Sequence, residues 1–153
     1  LLKPIIVDRI EDINGNIIYQ PEGDNIIRKN IVSDNVSIYM KNLMKEVIEY
    51  GSGSKAKISG YKIGGKTGTT KKNIKGVYLR LYSPSFVCFY PIDIPKYLLY
   101  IQINEPKSGR YYSSQVVAPI AKSVLERYFS YKNIFPNNLN ERLTILKENN
   151  NKD

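Results

Sequence analysis

Three strand-like runs follow one another between residues 60 and 104, and no segment with helical periodicity separates them. The runs are GYKIGGKTGTTKK from Gly60, SFVCFY from Ser85 and YLLYIQIN from Tyr97. Parallel strands need a crossover of a dozen or more residues, which usually contains a helix. The sequence therefore predicts antiparallel pairing, and the proline-rich PIDIP turn at residues 91–95 makes the last two runs a hairpin.

Two segments with helical periodicity lie on either side of these runs. The first, residues 34–50, follows the N-cap candidate Ser33 and has a predicted apolar face of Val36, Met40, Leu43 and Val47. The second, residues 114–130, has a predicted inward face of Val117, Ile120, Val124, Leu125 and Tyr128. The predicted fold class is therefore α+β, with an antiparallel sheet flanked by helices.

The remaining segments are predicted to be connections. Residues 4–10 and 16–20 are rich in β-branched residues and form a predicted N-terminal hairpin that turns near Asn14-Gly15. GSGSKAKIS, which begins at Gly51, is predicted to be a flexible link. Residues 132–153 are polar and are predicted to form a disordered tail, most clearly in their last six residues, ENNNKD.

The residue types that are absent restrict the chemistry. The chain has 153 residues, no histidine and one cysteine, Cys88. These counts exclude histidine-dependent triads, histidine zinc sites, internal disulfides and paired-cysteine metal sites. Any chemistry must rest on lysine, hydroxyl or carboxylate side chains. The length is typical of a single domain.

The charge is strongly positive, because 23 Lys and Arg residues outweigh 14 Asp and Glu residues to give a net charge of +9. Such a charge attracts polyanions, so a basic module that binds nucleic acid or an anionic surface is one alternative function. However, the lysines are scattered, and only Lys71, Lys72 and Lys75 form a short cluster. We therefore do not expect a nucleic-acid partner.

A second alternative is a P-loop nucleotide-binding protein. Residues 60–67, GYKIGGKT, match the P-loop expression GxxxxGK[ST]. A P-loop requires a helix at the end of the motif, so that backbone amides and the helix dipole hold the phosphates. The residues after Thr67 have no apolar helical period and include several β-formers. The pattern favours a strand over a nucleotide site.

Two further matches have the form of a serine-nucleophile site. Ser52-Gly53-Ser54-Lys55 matches Ser-x-x-Lys, and residues 33–35 match Ser-Asp-Asn. A Ser-x-x-Lys pair needs one turn of helix to bring the amine to the hydroxyl, and the flanking glycines disfavour helix. Residues 33–35 are sufficiently explained as a helix start. We interpret both as chance matches.

The last pattern is Lys66-Thr67-Gly68-Thr69, on the first of the three strands. Around it the chain carries GSGSKAKISGYKIGGKTGTTKK, YSPSFVCFYPIDIPKYLLYIQINEPK and YYSSQVVAPIAKSVLERYF in this order, and PIIVDRIEDINGNIIYQPE before them. In these blocks the sequence resembles the C-terminal part of the transpeptidase domain of class B penicillin-binding proteins. These are the serine D,D-transpeptidases that cross-link peptidoglycan. The resemblance covers residues 1–131.

The resemblance implies a substrate-binding set of Lys66, Thr67, Gly68 and Thr69. Lys66 would supply positive potential for a peptide carboxylate, and Thr67 and Thr69 would offer it hydroxyls. The Thr69 amide would form half of an oxyanion hole. Gly65 and Gly68 would allow close approach of substrate and neighbouring backbone. The implied partners are the D-Ala-D-Ala stem peptide of peptidoglycan, β-lactams and the cell-wall synthesis machinery, with no cofactor and no metal.

The resemblance also implies what lies elsewhere. The serine nucleophile, its lysine base and a separate Ser-x-Asn motif are expected upstream of the position that corresponds to Leu1. We therefore expect no catalytic side chain in this chain and no activity from it alone. Ser113 and Ser114 stand where the family usually has glycines, which predicts a stiffer loop. By family, the protein is expected at the inner membrane with an extracytoplasmic catalytic domain, although the chain itself shows no anchor or signal segment.

Overall fold

A three-stranded antiparallel sheet organises the part of the chain that carries the candidate site. Its strands, in spatial order, are β3 (Gly64–Ile74), β4 (Val77–Tyr90) and β5 (Tyr97–Gln102). The computed structural model describes residues 1–23 and 25–137. The predicted antiparallel order is confirmed. Within the described residues, β3 pairs on one side only and leaves its other edge open.

The turn between β3 and β4 explains why β4 is longer than the predicted run. Lys75 and Gly76 both have positive φ, at 50° and 87°, as a two-residue type I′ hairpin requires. The Gly76 amide also donates to Asn73 Oδ1 at 2.9 Å. Val77 therefore pairs with Ile74, and β4 begins eight residues before the predicted start at Ser85. The prediction missed this extension because most of residues 77–82 are exposed and show no clean alternation of buried and exposed side chains.

The core lies between β4 and the second helix, α2 (Ser113–Tyr131). On β4, Phe86, Cys88 and Tyr90 alternate inward and are buried. The buried residues of α2 are Ser113, Val117, Ala118, Ala121, Leu125 and Phe129. Aromatic rings close one end of this core, where Phe129 packs on Tyr90 with ring centroids 4.7 Å apart.

The predicted inward face of α2 was partly wrong. Ile120 and Val124 are 42% and 41% exposed, whereas Ala118 and Ala121 are fully buried. The helix therefore presents its small residues to the sheet, and they allow a close approach that the larger side chains would block. Val117 and Leu125 face inward as predicted, and Tyr128 packs edge-on against Tyr97 at 5.4 Å.

The first helix, α1 (Asp34–Glu49), has the predicted position but not the predicted burial. Val36, Met40 and Leu43 are 48%, 46% and 42% exposed. Ile48, in the last turn, is the buried residue of this helix and is only 1% exposed. The apolar face of α1, which we define as Val36, Tyr39, Met40 and Leu43, is thus left exposed in the described part of the chain.

The segment that follows α1 is not the flexible link that its composition predicted. Backbone bonds hold it, from the Gly53 amide to the Val47 carbonyl at 3.0 Å and from the Ser54 amide to the Gly51 carbonyl at 3.1 Å. A 3₁₀ turn, Ser54–Ala56, follows and buries Ala56 completely. The glycines serve close packing here, because a Cβ at Gly51 would lie 2.9 Å from the Val47 Cα.

Residues 1–37 form a separate compact unit that contains the N-terminal hairpin. Its strands β1 (Ile10–Glu11) and β2 (Ile17–Tyr19) pair antiparallel, so the hairpin is confirmed but its first strand is much shorter than residues 4–10. The Asp12 carboxylate accepts hydrogen bonds from Asn16 and Asn14, which lowers its pKa. Gly15 has a φ of 84°, as the turn requires.

The start of the predicted polar tail packs against tyrosines beside and within the sheet. Tyr61 donates to the Ile134 carbonyl at 2.9 Å, and Tyr90 donates to Asn137 Oδ1 at 3.2 Å. Residues 138–153, the rest of the predicted disordered tail, lie outside the described residues. In the portion that the structure covers, neither helix combines the length and apolar character needed to cross a membrane.

The packing of α2 yields a stability prediction. Ala121→Leu should lower the free energy of unfolding by about 1–3 kcal/mol, because added methylenes must fit into a closed core. Ser123→Leu, on the exposed face of the same helix, should change it by no more than about 0.5 kcal/mol. Urea unfolding of both variants measures the contrast. Equal small effects would mean that Ile120 and Val124 face the sheet instead.

The core also predicts an unreactive thiol. Burial raises the pKa of Cys88 to about 12, and the side chain is 1% exposed. Because the thiolate is the reactive form, Cys88 should resist an aromatic disulfide reagent at pH 8 and react stoichiometrically in denaturant. A fast stoichiometric reaction of the native chain would contradict this packing.

Candidate functional site

The candidate site lies on the first half of β3. Lys66, Thr67, Gly68 and Thr69 follow one another along this strand, so their side chains alternate between its two faces. Thr67 pairs with Phe86 of β4, which places the threonine hydroxyls on the sheet face that α2 covers. Lys66 pairs with Val87 and starts from the opposite face. The open edge of β3 therefore lies between the threonine hydroxyls on one face of the strand and the Lys66 side chain on the other.

Each of the two threonine hydroxyls is tied to a different flanking segment. Thr67 Oγ1 lies 2.7 Å from Ser52 Oγ, in the turn after α1. Thr69 Oγ1 accepts a hydrogen bond of 3.3 Å from the backbone amide of Ser113, where α2 begins. The Ser113 hydroxyl in turn donates to the Ser85 carbonyl at 2.6 Å. The two hydroxyls are therefore held by the chain, although Thr69 itself is exposed.

The Lys66 ammonium lies close to the same stretch of backbone. It donates to the carbonyl oxygen of its neighbour Thr67 at 3.0 Å, and its side chain is exposed. None of the ion pairs found among residues 1–23 and 25–137 includes Lys66. Its charge is thus uncompensated there, and it favours an anion beside β3.

The glycines of β3 are required by the protein's own packing. A Cβ at Gly65 would lie 2.8 Å from the Val87 carbonyl and 3.1 Å from Ile48 Cδ1, and a Cβ at Gly68 would lie 2.7 Å from Ser85 Oγ. The expected approach of neighbouring groups is therefore seen at both positions. The neighbours are side chains as well as backbone, and they belong to α1 and β4.

An aromatic cluster that the sequence interpretation missed flanks the site. Tyr82 of β4 stacks on Tyr111 with centroids 4.1 Å apart, and Tyr111 is 4.5 Å from the ring of Tyr112. The hydrogen bond between the last two hydroxyls raises the pKa of Tyr111. Tyr111 and Tyr112 end the loop between β5 and α2, and an ion pair between Lys72 and Glu105 holds the start of this loop against β3. The adjacent tyrosines before α2 were the sequence signal that could have indicated this cluster.

The competing motifs do not form the sites that their patterns suggest. Thr67 lies inside β3, so the helix that a P-loop requires does not begin there, and the nucleotide alternative is wrong. Ser52 precedes the 3₁₀ turn that contains Lys55, and its hydroxyl contacts Thr67 instead of an amine. The described residues contain no cluster of acidic, histidine or cysteine side chains suited to a metal.

Comparison with known proteins identifies the family. A model of the penicillin-binding protein transpeptidase domain matches residues 1–126. The chain belongs to this family. It forms part of a class B penicillin-binding transpeptidase domain, and its α+β fold, an antiparallel sheet with helices, agrees with the solved structures of such domains.

The relatives of the chain include peptidoglycan D,D-transpeptidases. The chain is 41% identical over 115 residues to peptidoglycan D,D-transpeptidase FtsI of Buchnera aphidicola subsp. Baizongia pistaciae, which covers 74% of the chain and 20% of that protein. It is 33% identical over 101 residues to stage V sporulation protein D of Bacillus subtilis, covering 65% of the chain and 16% of the relative. The chain thus spans about a fifth of the length of the curated relatives it matches.

Solved structures show the same fold. Penicillin-binding protein 3 of Mycobacterium tuberculosis, complexed with ampicillin, has a TM-score of 0.70 and 23% identity over 88% of this chain and 31% of its own. The transpeptidase domain of Burkholderia pseudomallei penicillin-binding protein 3 has a TM-score of 0.64 and 24% identity, covering 78% of this chain and 35% of its own. The chain therefore matches about a third of each solved chain.

The geometry of Ser52 predicts the outcome of penicillin labelling. The 153-residue chain should form no adduct with a fluorescent penicillin that survives denaturation, because among residues 1–23 and 25–137 the Ser52 hydroxyl contacts Thr67 and not a lysine amine, and Ser54 begins a 3₁₀ turn instead of an α-helix. The Mycobacterium tuberculosis protein serves as the positive control. A stoichiometric label that Ser52→Ala abolishes would make Ser52 the nucleophile and overturn this interpretation.

Proposed function

We propose that this chain supplies the carboxylate-binding strand of a peptidoglycan D,D-transpeptidase. The observation that carries the proposal is the grouping on β3 of one uncompensated ammonium, Lys66, and two oriented hydroxyls, Thr67 and Thr69. A carboxylate has only acceptor atoms, and these three groups are donors. Hydrogen bonds in which a partner is ionised contribute more than neutral ones, at about 1.5–3 kcal/mol each.

The proposed reaction is acyl transfer to and from a serine. The serine oxygen attacks the carbonyl carbon of D-Ala-D-Ala, the peptide bond to the last residue breaks, and D-alanine leaves with the proton that the serine gave up. An amine from a neighbouring peptidoglycan strand then attacks the acyl-enzyme and restores the serine. In this reaction the Thr69 amide stabilises the negative charge that develops on the carbonyl oxygen. Strand β3 binds the carboxylate of the terminal D-alanine, which is the residue that leaves.

The serine and its base are proposed to come from the remainder of the transpeptidase domain. Two observations support this assignment. The only serine motif near the site, at Ser52, lacks a lysine contact in the described structure. The apolar face of α1 is also exposed, and an exposed apolar face of this kind marks an interaction surface. The chain covers 35% of a solved transpeptidase domain, and under this proposal the remaining elements of such a domain would carry the serine and cover this face.

The proposed ligands follow from the same chemistry. The stem peptide that ends in D-Ala-D-Ala carries a terminal carboxylate, and penicillins carry a carboxylate beside the lactam ring. The Mycobacterium tuberculosis relative has been solved with ampicillin and with aztreonam. We extend this class of ligand to the site on β3, and we place the protein in cell-wall synthesis on the outer side of the inner membrane.

A test of the carboxylate role replaces Lys66. In a chimera that carries this chain in place of the matching segment of the Buchnera FtsI relative, Lys66→Ala should slow acylation by a penicillin by about 10- to 100-fold. Acylation by the same penicillin with its carboxylate esterified should slow much less. The rates are measured by single-turnover labelling.

Lys75→Ala is the matched control, because Lys75 is an exposed lysine at the turn of the same hairpin. It should leave both rates unchanged. Equal slowing of the acid and the ester by Lys66→Ala would mean that Lys66 acts through structure or proton transfer. The carboxylate role would then be withdrawn.

A further inference from the structure

Ser52 occupies a turn that the fold fixes in place. The turn follows the last residues of α1, and the Gly53 amide donates to the Val47 carbonyl at 3.0 Å. The Ile48 side chain packs beneath both this turn and β3, because its Cδ1 lies 2.8 Å from a Cβ built at Gly53 and 3.1 Å from one built at Gly65. One buried side chain therefore sets the position of Ser52 relative to the strand.

The contact that results is a hydrogen bond between two hydroxyls. Ser52 Oγ lies 2.7 Å from Thr67 Oγ1, and either oxygen is able to donate. Each hydroxyl has one proton and two lone pairs, so only one of them donates in this pair. The direction of the bond decides whether the Thr67 proton is available to a ligand.

We infer that Ser52 is a positioning residue that donates to Thr67 and thereby directs the Thr67 proton to the substrate carboxylate. The inference rests on the proposed function, in which Thr67 donates to an acceptor-only group. When the Thr67 hydroxyl donates its hydrogen bond to a carboxylate, only Ser52 is able to be the donor in the 2.7 Å bond between the two hydroxyls. The same bond holds the Thr67 side chain in one rotamer, which removes a conformational cost from binding.

Thr69 shows the same arrangement with no ambiguity. Its Oγ1 accepts a hydrogen bond of 3.3 Å from the backbone N–H of Ser113, and an N–H group is only a donor. The Thr69 proton therefore points away from Ser113. The two threonines share one face of β3. At Thr69 the Ser113 amide satisfies a lone pair and leaves the hydroxyl proton free, and with Ser52 as the donor the same holds at Thr67.

This arrangement has a consequence for specificity. A site whose hydroxyls are fixed as donors favours a carboxylate and disfavours a terminal amide, whose NH₂ group needs an acceptor. Ser52 thus contributes to the choice of a free C-terminus without touching it. Losing its hydroxyl should free Thr67 to rotate and to accept, so that discrimination decreases.

The test uses the 153-residue chain and nuclear magnetic resonance. Three-bond couplings of the Thr67 methyl carbon report its χ1 rotamer, and titration of the Thr67 and Thr69 signals reports affinity. The probes are N-acetyl-D-alanyl-D-alanine and the same peptide with a C-terminal amide. Ser52→Ala should average the Thr67 χ1 rotamer. It should lower the affinity for the peptide acid by about 3- to 10-fold and the affinity for the peptide amide by less.

Two variants control the measurement. Ser54→Ala removes a neighbouring exposed hydroxyl and should change neither the rotamer nor the affinity. Ser52→Thr keeps the hydroxyl and should retain the preference for the acid. In a cycle with Thr67→Val, Ser52→Ala should have no further effect, because its partner is already gone.

The outcomes separate this inference from the proposed function. Equal affinity and an unchanged Thr67 rotamer in Ser52→Ala would overturn the positioning role, even if the acid binds on β3. If the acid binds nowhere on β3 while Ser52→Ala still releases the Thr67 rotamer, the carboxylate role fails and the Ser52 inference falls with it. Loss of folding in Ser52→Ala, with Ser52→Thr folded, would assign Ser52 to stability and also overturn the inference.

Discussion

The packing of Ile48 between two glycines holds the candidate site together. Its side chain fills the space that a Cβ would occupy at Gly53 and Gly65, so the end of α1, the serine turn and β3 meet at one buried contact. A larger residue at either glycine would displace the turn from the strand. The positions of Ser52 and of the Thr67 hydroxyl both depend on this contact.

The second organising contact lies at the start of α2. Ser113 binds the Thr69 hydroxyl through its amide and the Ser85 carbonyl through its side chain, so one residue joins α2 to both β3 and β4. The resemblance to the family implied that a serine at position 113 would stiffen the loop. The structure gives a physical reason for stiffness, because a glycine at this position would keep the amide contact and lose the bond to Ser85.

The hydrophobic pattern within each segment predicted the helices and strands, whereas the burial of their side chains depended on which other segments pack against them. The hydrophobic period located α1 and α2 within one residue, since that period is a property of the segment itself. It did not show that Ala118 and Ala121 face the sheet, because the approach distance of helix and strand is a tertiary property. The Ser52 contact with Thr67 was invisible for the same reason, and glycine content suggested flexibility where the chain uses glycine for close packing.

A crystal structure tests most directly whether the hydroxyls of β3 bind a carboxylate. The chimeric transpeptidase domain that carries this chain would be acylated with ampicillin and its structure determined. We expect the ampicillin carboxylate within about 2.6–3.2 Å of both Thr67 Oγ1 and Thr69 Oγ1. A carboxylate directed into solvent or held by Tyr111 and Tyr112, with both threonine hydroxyls unbound, would contradict it.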